Sequence, residues 1–433
     1  MTTILIPTVV GDVHAASVAL ALKEMGHHPI RWFCQDLPSA GLASYGIGGC
    51  QETTLQVVDA EGFEVDLGGV DVLWRRRVGD PIVDAPDAEP SDMRVAANET
   101  RRLIGGALMG IGTKVFSVND FQAAKQAENK IPQLETARAV GLTIPETLIS
   151  NDPARIRSFI RAHEDSGCIY KGFGPVSWDC GDKVATLFTH KVNLAVLPSD
   201  RMLQMSPGIF QAYVPKAFEV RVTCMGAHQF AVRLDSQSTA SGAVDWRLEP
   251  YRSLPASRYE LPETVARKCQ ALMRRLGLVF GCLDLIVTPQ GEHVFLEVNQ
   301  MGQFLWLEQI APKLPMLDAF CQFLLSQNPD FRYDETRENQ HPLARFEAEA
   351  CATVTRDRAI HPGQAESSKL VHERAALERK ARARSSRTPP AGVLPCRTRC
   401  GEPMRTGIDA TIEGTRASDT NQVHKVASEG EEA

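Results

Sequence analysis

Residues 283–306 read LDLIVTPQGEHVFLEVNQMGQFLW, and this stretch decides the fold. Two runs of β-forming residues flank a Pro-Gln-Gly turn, which is the pattern of a β-hairpin. If Gln290–Gly291 is a two-residue loop, Asp284 lies directly opposite Glu297, and Asn299 follows on the same face of the sheet. A four-residue Thr-Pro-Gln-Gly loop would move the pairing by two residues and keep all three side chains on that face.

Two carboxylates and one amide on a single face form a group of hard oxygen ligands. Mg²⁺ prefers such ligands, so the hairpin predicts a magnesium site made by Asp284, Glu297 and Asn299. The alternative is the solvated outer face of a sheet, with ordinary polar residues. The hairpin alone does not separate these two interpretations, and the rest of the chain has to decide between them.

The composition is that of an ordinary folded protein. The 433 residues are enough for two or three domains, and the hydrophobic and charged fractions of 43% and 23% are typical of globular chains. The net charge of −6 provides no basic surface, so we expect no nucleic-acid partner. No apolar run reaches membrane-spanning length and the start lacks a signal-peptide pattern, so we expect no membrane partner.

The cysteines also limit the possible classes of protein. The 11 cysteines are scattered along the chain and form no Cys-x-x-Cys pair. Neither a zinc site nor a framework of disulfides is therefore indicated. Reduced cysteines are typical of the cytoplasm, which is the location we expect for this protein.

The secondary-structure pattern predicts a three-part body of the α/β and α+β classes. A strand at Ile4–Val10 followed by a helix at His14–Met25 begins an α/β domain. We expect this domain to cover residues 1–118, a sheet-rich central domain to cover 119–212, and a third domain containing the hairpin to cover 213–333.

The last hundred residues have a different composition. Residues 334–433 carry as many basic as acidic residues and a single aromatic, Phe346. Such a segment cannot bury enough apolar surface to fold alone. We therefore predict a mostly disordered C-terminal tail over 334–433.

Two further features have an ordinary and a functional interpretation. Arg75, Arg76 and Arg77 end a predicted strand, either as solvated charge at a sheet edge or as an anion-binding rim. The pattern also predicts one helix over Phe121–Val140, ending at Gly141. This predicted helix contains Lys130, the first of two lysines in the series of motifs described next.

The order of motifs resembles that of the ATP-grasp superfamily. Lys130 lies in NKIPQLETARAVGLTIPET, Lys171 lies in CIYKGF, and FQAYVPKAFEVRV follows before Asp284 and the Glu297-x-Asn299 pair. Within the superfamily the chain resembles the RimK-like branch, and most closely the microviridin-type, or graspetide, ligases that macrocyclise peptides. The motifs VLWRRR, DWR and EVNQMGQFLWLE support this narrower assignment. The resemblance covers roughly residues 1–333 and implies a three-part ATP-grasp fold with an N-terminal pre-ATP-grasp domain.

The resemblance implies roles for residues that composition would leave as surface positions. Lys130 and Lys171 would hold the phosphates of ATP from the central, lid-like domain. The backbone of the interdomain strand would pair with adenine, and Lys216 and Glu219 would contact the ribose and phosphate region. Related ligases often carry Asp-x-Arg where this chain has Glu219-Val-Arg. The strand consists of Gln211, Ala212, Tyr213 and Val214.

The resemblance also implies the catalytic groups. Arg221 and Arg247 would stabilise the negative charge that develops during phosphoryl transfer, a contribution typically on the order of a few kcal/mol for each donor. Asp284 and Asn299 would each hold one of two Mg²⁺ ions, and Glu297 would bridge both. A Ser/Gly-rich loop, STASGAVDW, precedes Arg247 and is either simply mobile or closes over the reacting groups.

The implied activity is an ADP-forming ligation. The γ-phosphoryl group of ATP would pass to an Asp or Glu side chain of a ribosomally made precursor peptide. A Ser or Thr hydroxyl or a Lys amine of the same peptide would attack the acyl phosphate and close an ester or amide ring. The precursor peptide is the expected partner, and the resemblance makes a homodimer a candidate assembly.

Two alternatives stay open at the level of sequence. A RimK-like ligase that adds a free amino acid to a protein or small-molecule carboxylate would use the same nucleotide and metal residues. A nucleotide-binding scaffold without turnover is the other alternative. The retained carboxylates Asp284 and Glu297 argue against the scaffold, because a pure binder could lose them.

Overall fold

The structure, a computed structural model, describes the chain from residue 1 to residue 361 apart from short gaps. These gaps are residues 49–53, 59, 61–63, 67–68, 175–176, 180–183, 239–243 and 249–253. In this described part, two four-stranded sheets and one five-stranded sheet form the frame, and two smaller sheets are attached to it.

The first part of the chain forms a parallel sheet. In chain order its elements are β1 (Thr3–Thr8), α1 (Val13–Glu24), β2 (His28–Phe33), β3 (Leu42–Gly46), β4 (Thr54–Val58), β5 (Glu64–Asp66), β6 (Val72–Trp74), α2 (Pro90–Gly112) and β7 (Phe116–Val118). The parallel strands are ordered β2-β1-β6-β7, and β3, β4 and β5 form a separate antiparallel sheet. Strand β1 lies inside its sheet, and Ile4, Leu5 and Ile6 are fully buried because both faces of a parallel sheet are covered.

The central part of the chain contains a second, antiparallel sheet. Its elements are α3 (Phe121–Ala127), α4 (Lys130–Ala139), β8 (Thr147–Ser150), α5 (Pro153–Ala162), β9 (Cys168–Lys171), β10 (Ser177–Asp179), β11 (Val184–Thr186), β12 (His190–Val192), α6 (Asp200–Met205) and β13 (Gly208–Ala212). The sheet is ordered β12-β9-β13-β8, and β10 pairs with β11.

The single helix predicted over Phe121–Val140 is wrong, because the structure divides it into α3 and α4. Asn129 caps the second helix, and its side chain accepts a hydrogen bond from the backbone N–H of Ile131 at 3.0 Å. Pro132 follows at once and has no N–H to continue a helix from the preceding turn. The break makes Lys130 the first residue of α4.

The third part of the chain contains the five-stranded sheet. Its elements are β14 (Phe218–Met225), β15 (His228–Leu234), β16 (Ala256–Arg258), α7 (Glu263–Arg275), β17 (Phe280–Val287), β18 (His293–Asn299), α8 (Trp306–Ile310), α9 (Met316–Ser326) and α10 (Glu347–Ile360). The strands are ordered β16-β15-β14-β17-β18. Helix α7 covers one face through Cys269, Leu272 and Met273, which are spaced as one helical stripe.

The hairpin forms as predicted, although its loop has a different length. The backbone N–H of Thr288 donates to Glu292 at 2.9 Å, so the loop has three residues, with Gly291 in the left-handed region at φ 85°. This register would place Asp284 opposite Leu296. A β-bulge between Asp284 and Leu285 shifts the register by one residue, and Asp284 pairs with Glu297 after all.

One apolar core joins the first and third parts of the chain. Trp74 of β6 meets Phe320 of α9 edge to face at 4.7 Å between ring centroids, and Phe304 packs on Phe320 at the same distance. All three side chains are buried in a cluster that also contains Ile4 of β1 and Phe280 of β17. The parallel sheet and the hairpin are therefore held against each other by shared packing.

The prediction of a disordered tail is wrong for its first 28 residues. Residues 334–361 are folded, and Leu343, Phe346 and Val354 bury their side chains against the body. The prediction missed this because the segment uses the apolar surface of α1 as its partner and has little of its own. The remainder of the predicted tail, residues 362–433, lies outside the described residues.

Candidate active site

Three charged side chains form a row across neighbouring strands of the five-stranded sheet. Arg221 of β14 is paired with Asp284 of β17, and Asp284 is paired with Glu297 of β18. Paired residues on adjacent strands present their side chains on the same face. The sheet therefore brings one predicted catalytic arginine and two predicted metal ligands together.

Asp284 is held from two sides. Nη1 of Arg221 donates to both carboxylate oxygens of Asp284 at 2.7 Å, and Nδ2 of Asn299 donates to Oδ2 at 3.1 Å. Burial raises the pKa of Asp284, and the charge of Arg221 opposes this rise. Arg221 also donates to the backbone oxygen of Gln303 at 3.2 Å, so its guanidinium group is fixed in orientation.

Of the two carboxylates in the row, Glu297 is the one more strongly surrounded by cationic side chains. Nζ of Lys130 lies 2.5 Å from its Oε2, and Nδ2 of Asn299 lies 3.3 Å from its Oε1. Burial acts to raise the pKa of Glu297, but the charges of Lys130, Arg247 and Lys171 together hold that pKa below its usual range. Glu297 is therefore ionised, as its predicted role as a metal ligand requires.

A buried amide aligns Lys130 with Glu297. Gln133, one turn after Lys130 on α4, donates through Nε2 to the backbone oxygen of Val298 at 3.0 Å. Its Oε1 accepts the N–H of Val298 at 2.9 Å. These two bonds fix the start of α4 on β18, next to Glu297. The sequence did not single out Gln133, because its partner lies 165 positions away.

Lys171 reaches the same site from the central sheet. It ends β9, and its ammonium group interacts electrostatically with Glu297, Lys130, Arg247 and Asp284. Burial is the largest effect and lowers the pKa of Lys171 to about 8, while the carboxylates act in the opposite direction. An anionic ligand placed here would raise that pKa again and stabilise the charged form.

Arg247 lies in a short 3-10 helix, Trp246–Leu248, and is held by Asp245. Its Nε donates to Oδ1 of Asp245 at 2.8 Å and its Nη2 donates to Oδ2 at 2.6 Å. Burial acts to lower the pKa of Arg247, but the bonds and charge of Asp245 raise it above its usual value. The Ser/Gly-rich centre of the preceding loop, residues 239–243, lies outside the described residues.

The predicted adenine strand joins the central sheet to the third part of the chain. Gln211 and Ala212 are the last residues of β13, and Nε2 of Gln211 donates to Oγ1 of Thr147 at 2.8 Å. The backbone N–H groups of Ala212 and Tyr213 donate to Glu146 and Gly167, respectively, each at 2.9 Å. These two N–H groups are engaged inside the protein, whereas Val214 follows beyond the strand.

Lys216 and Glu219 form a buried ion pair. Nζ of Lys216 lies 2.5 Å from Oε1 of Glu219 and 3.2 Å from the backbone oxygen of Val244. Burial raises the pKa of Glu219, and Lys216 opposes the rise. The pair lies beside the row, since Glu219 precedes Arg221 by two positions on β14 and shares its face. It ties the loop that carries Arg247 to the sheet.

The grouped side chains have the donor set for a hard cation bound with an anionic ligand. Asp284 and Glu297 remain 15% and 19% exposed, so both carboxylates reach solvent. In the described part of the chain, no three His, Cys, Asp or Glu side chains are close enough to hold a metal ion. The two carboxylates and the amide oxygen of Asn299 would be an incomplete shell, and phosphate oxygens and water would complete it.

The three consecutive arginines do not share one role. Arg76 is buried with 1% of its side chain exposed, and its Nε lies 3.1 Å from Oδ2 of Asp12. It also donates to the backbone oxygen of Met301. The guanidinium group of Arg75 stacks over Phe121 at 4.5 Å. The expectation of solvated charge at a sheet edge is therefore wrong for Arg76, which joins the first part of the chain to the segment after the hairpin.

His14 makes a second junction that the sequence did not single out. It lies in the first turn of α1, and its Nε2 accepts the backbone N–H groups of Phe304 and Leu305 at 3.2 Å. Burial, aided by the charge of Arg76, lowers the pKa of His14 to about 3. The ring is therefore neutral and acts as an acceptor at the segment that follows the predicted metal ligands.

We expect His14 to make the protein less stable in mild acid. The neutral ring is favoured in the folded state, so its contribution is present above pH 6.5 and is lost as the pH falls toward 3. At pH 5 the loss is about 2 kcal/mol. Urea unfolding at pH 7.5 and pH 5 should show a smaller difference for His14→Gln than for wild type. His28→Gln, at an exposed position, is the control, and equal differences in all three proteins would contradict this role.

Comparison with solved structures identifies relatives of this fold. A macrocyclase from Microcystis aeruginosa, MdnC, bound with its precursor peptide MdnA, is 27% identical with a TM-score of 0.66, covering 75% of this chain and 100% of that chain. MdnB, a macrocyclase from the same organism, is 26% identical with a TM-score of 0.63, covering 75% and 99%. An ATP-grasp ligase from Chryseobacterium gregarium, in complex with ADP and a leader and core peptide, is 23% identical with a TM-score of 0.70, covering 77% and 100%.

No protein-family model matches the chain, and no curated protein matches it. Among the helices of the described residues, none is long and apolar enough to span a membrane. The likeness to the solved structures and the geometry of the site are therefore the grounds for assigning a function.

Proposed function

We propose that the chain is a member of the ATP-grasp superfamily with the fold of the peptide-macrocyclising ligases, and that it closes rings in a ribosomally made precursor peptide. Asp or Glu side chains of the peptide would be activated by ATP, and hydroxyl or amine groups would then form ester or amide bonds. The observation that carries the proposal is the convergence of Lys130, Lys171, Arg221 and Arg247 on two carboxylates and an amide.

The described side chains suit the binding of a nucleotide triphosphate. Lys130 and Lys171 approach from the central part of the chain and would hold phosphate oxygens. The backbone of Gln211–Val214 would contact adenine. Two N–H groups of this segment are engaged within the protein, so carbonyl oxygens and Val214 are the places for that contact. Lys216 and Glu219, already paired with each other, would border the ribose.

Two magnesium ions are part of the proposal. Asp284 and Asn299 would each hold one ion and Glu297 would bridge them, because these residues supply adjacent oxygens on one face. Bound Mg²⁺ would neutralise phosphate charge and orient the transferred group. Asp284 also keeps Arg221 in place, since an oxygen that accepts from an arginine retains a further lone pair for a cation.

The arginines would act on the charge that develops during the two steps. Arg221 is fixed by Asp284 and the backbone of Gln303 before any ligand binds. Arg247 is fixed by Asp245 in the same way. Such preorganised donors stabilise the transition state without a cost of reorientation at the moment of reaction. The mechanism requires no covalent bond to the enzyme, so no cysteine or serine nucleophile is assigned.

We also propose a homodimer and a cytoplasmic location. The cysteines support a reducing compartment, since the seven that the structure describes are all free and six of them are buried. Size-exclusion chromatography with light scattering tests the dimer. The result does not affect the assignment of the site, because all its described residues come from one chain.

Mass spectrometry tests the proposed activity directly. A peptide encoded by a neighbouring reading frame is incubated with the protein, ATP and Mg²⁺. We expect the loss of one water for each ring, together with ADP formation. A mass gain equal to one amino acid would replace the proposal with a RimK-like ligation. Absence of both mass changes with every neighbouring peptide would reject macrocyclisation.

A further inference from the structure

Asp245 is the point at which two parts of the chain meet beside the site. It is 5% exposed, and its carboxylate accepts four N–H bonds. Three come from Arg247: Nε at 2.8 Å, the backbone N–H at 3.1 Å and Nη2 at 2.6 Å. The fourth comes from the backbone N–H of Thr189, which donates to Oδ2 at 3.2 Å. Thr189 belongs to the central part of the chain.

The position of Thr189 connects this contact to the strands that carry Lys171. Thr189 directly precedes β12, in which His190 pairs with Tyr170 of β9. Continued by one residue, this antiparallel register places Thr189 opposite Lys171, the lysine proposed to hold phosphate. The carboxylate of Asp245 therefore accepts hydrogen bonds from Arg247. It also accepts one from the backbone N–H of Thr189, which belongs to the strand pair that carries Lys171.

The loop containing Asp245 is firmly attached to the third part of the chain. Trp246 stacks on Trp306 with 5.0 Å between ring centroids and an angle of 26°. Nζ of Lys216 donates to the backbone oxygen of Val244 at 3.2 Å. The residues on both sides of Asp245 are therefore held by the third part of the chain. The N–H group of Thr189 connects Asp245 to the central sheet.

Arg247 depends on Asp245 for its orientation. The side chain of Arg247 is 44% exposed, whereas that of Asp245 is 4% exposed. A long, exposed arginine side chain samples many rotamers unless its guanidinium fork is bound by a carboxylate of fixed orientation. The N–H group of Thr189 restricts the rotation of this carboxylate, since it bonds the oxygen that also accepts from Nη2.

We propose that Asp245 is a positioning residue that aims Arg247 at the reacting phosphate only while the central part of the chain is closed on the third part. This inference rests on the proposed function, because Arg247 is assigned to phosphoryl transfer there. Closure brings Lys171 and the N–H group of Thr189 to the site together. Phosphate binding by Lys171 and correct orientation of Arg247 are then reached in one step. The open enzyme therefore does not hydrolyse ATP unproductively.

The first test compares Asp245→Asn with Asp235→Asn. Asparagine places an NH₂ group where an oxygen accepted N–H bonds, so it disturbs the orientation of Arg247. Asp235 pairs with Arg233 at 2.7 Å, also two positions apart, and both side chains are more than a third exposed. We expect Asp245→Asn to lower kcat for ADP formation at least tenfold and to change the affinity for AMP-PNP with Mg²⁺ less than threefold. Asp235→Asn should change neither, and equal kcat values in both variants would overturn the proposal.

A double-mutant cycle separates positioning from a general structural role. If Asp245 acts through Arg247, adding Asp245→Asn to Arg247→Ala should lower kcat by less than a further threefold. A full additional loss in the double variant would overturn the proposal, because Asp245 would then act independently of Arg247. Thermal unfolding is measured for all variants, so that loss of the folded state is recognised.

The contact with the central sheet is tested through the backbone. Thr189→Pro removes the N–H group, while Thr189→Ala keeps it and serves as the matched control. We expect about a fivefold lower kcat in Thr189→Pro alone. Hydrogen exchange of residues 168–171 should be slowed by AMP-PNP and Mg²⁺ in wild type and Thr189→Ala, and less so in Thr189→Pro. Equal protection in the two variants would overturn the coupling. This readout needs no peptide, so it distinguishes failure of the inference from failure of the proposed macrocyclisation.

Discussion

We expect replacement of Glu297 by glutamine to abolish ADP formation while the protein remains folded. Glu297 is the proposed bridging ligand, and it is also the partner of Lys130 at 2.5 Å. Glutamine has nearly the same shape but lacks the charge, so it neither balances two cations nor fixes the lysine ammonium group. We expect turnover to fall at least about a thousandfold, since metal and electrostatic stabilisation are lost together. A coupled assay for ADP measures the effect, and thermal unfolding should stay cooperative.

Glu292→Gln is the matched control for this substitution. Glu292 belongs to the same hairpin, is exposed, and accepts a hydrogen bond from Oγ1 of Thr143 at 2.9 Å. It lies at the loop end of the hairpin, away from the row formed by Arg221, Asp284 and Glu297. We expect wild-type turnover in this variant. Unchanged turnover in Glu297→Gln would reject the assignment of the metal site.

Ending the chain after Tyr333 should strongly destabilise the whole protein. The truncation removes the buried side chains of Leu343, Phe346 and Val354, all at most 4% exposed. Burial of such side chains stabilises a protein by about 1.5–3 kcal/mol each, which gives roughly 5 kcal/mol or more in total. Total stabilities of domains are about 5–15 kcal/mol, so the truncated protein should unfold at a much lower temperature or fail to fold.

Polar contacts of the same segment would be lost as well. Arg31 of β2 bonds both oxygens of Asp357, at 2.5 and 2.9 Å, and Nδ1 of His361 lies 2.7 Å from Asp36. Removal of the segment would deprive Asp36 of this partner, and Arg31 would lose its carboxylate.

The matched control is a chain that ends after His361. It keeps every contact of α10 with the body and lacks only residues 362–433, whose composition predicts little contribution to folding. Its thermal unfolding should match that of the full chain. Phe346→Ala is a milder test, with an expected loss of about 3–5 kcal/mol. Equal unfolding temperatures for the chains ending at 333 and at 361 would contradict a stabilising role of α10.

The hairpin shows how far reasoning from the sequence reached. The alternation of side chains in strands was enough to place Asp284, Glu297 and Asn299 on one face. The predicted loop lengths of two or four residues were wrong, because the loop has three residues. Asp284 nevertheless pairs with Glu297, because the β-bulge between Asp284 and Leu285 compensates for the difference. A bulge depends on how the whole sheet packs, and the local sequence carried no signal for it.

For the first part of the predicted tail, reasoning from the sequence failed. Residues 334–361 contain few apolar residues, so composition alone predicted no folded structure for them. They fold because α1 and β2, more than three hundred positions earlier, provide the complementary surface. Likewise, the helix predicted over Phe121–Val140 ignored the capping side chain of Asn129, which starts a second helix.

The sequence by itself determined which chemical groups are candidates for the site and in what order they follow, because β alternation and motif spacing are local properties of the chain. Only the tertiary structure decided which of these groups meet. The hydrogen bonds of Gln133 to Val298 and of Asp245 to Thr189, and the ion pair of Arg76 with Asp12, each join residues more than fifty positions apart. Such contacts form when whole sheets and helices bury their apolar faces together, and that packing free energy is not encoded in any short stretch.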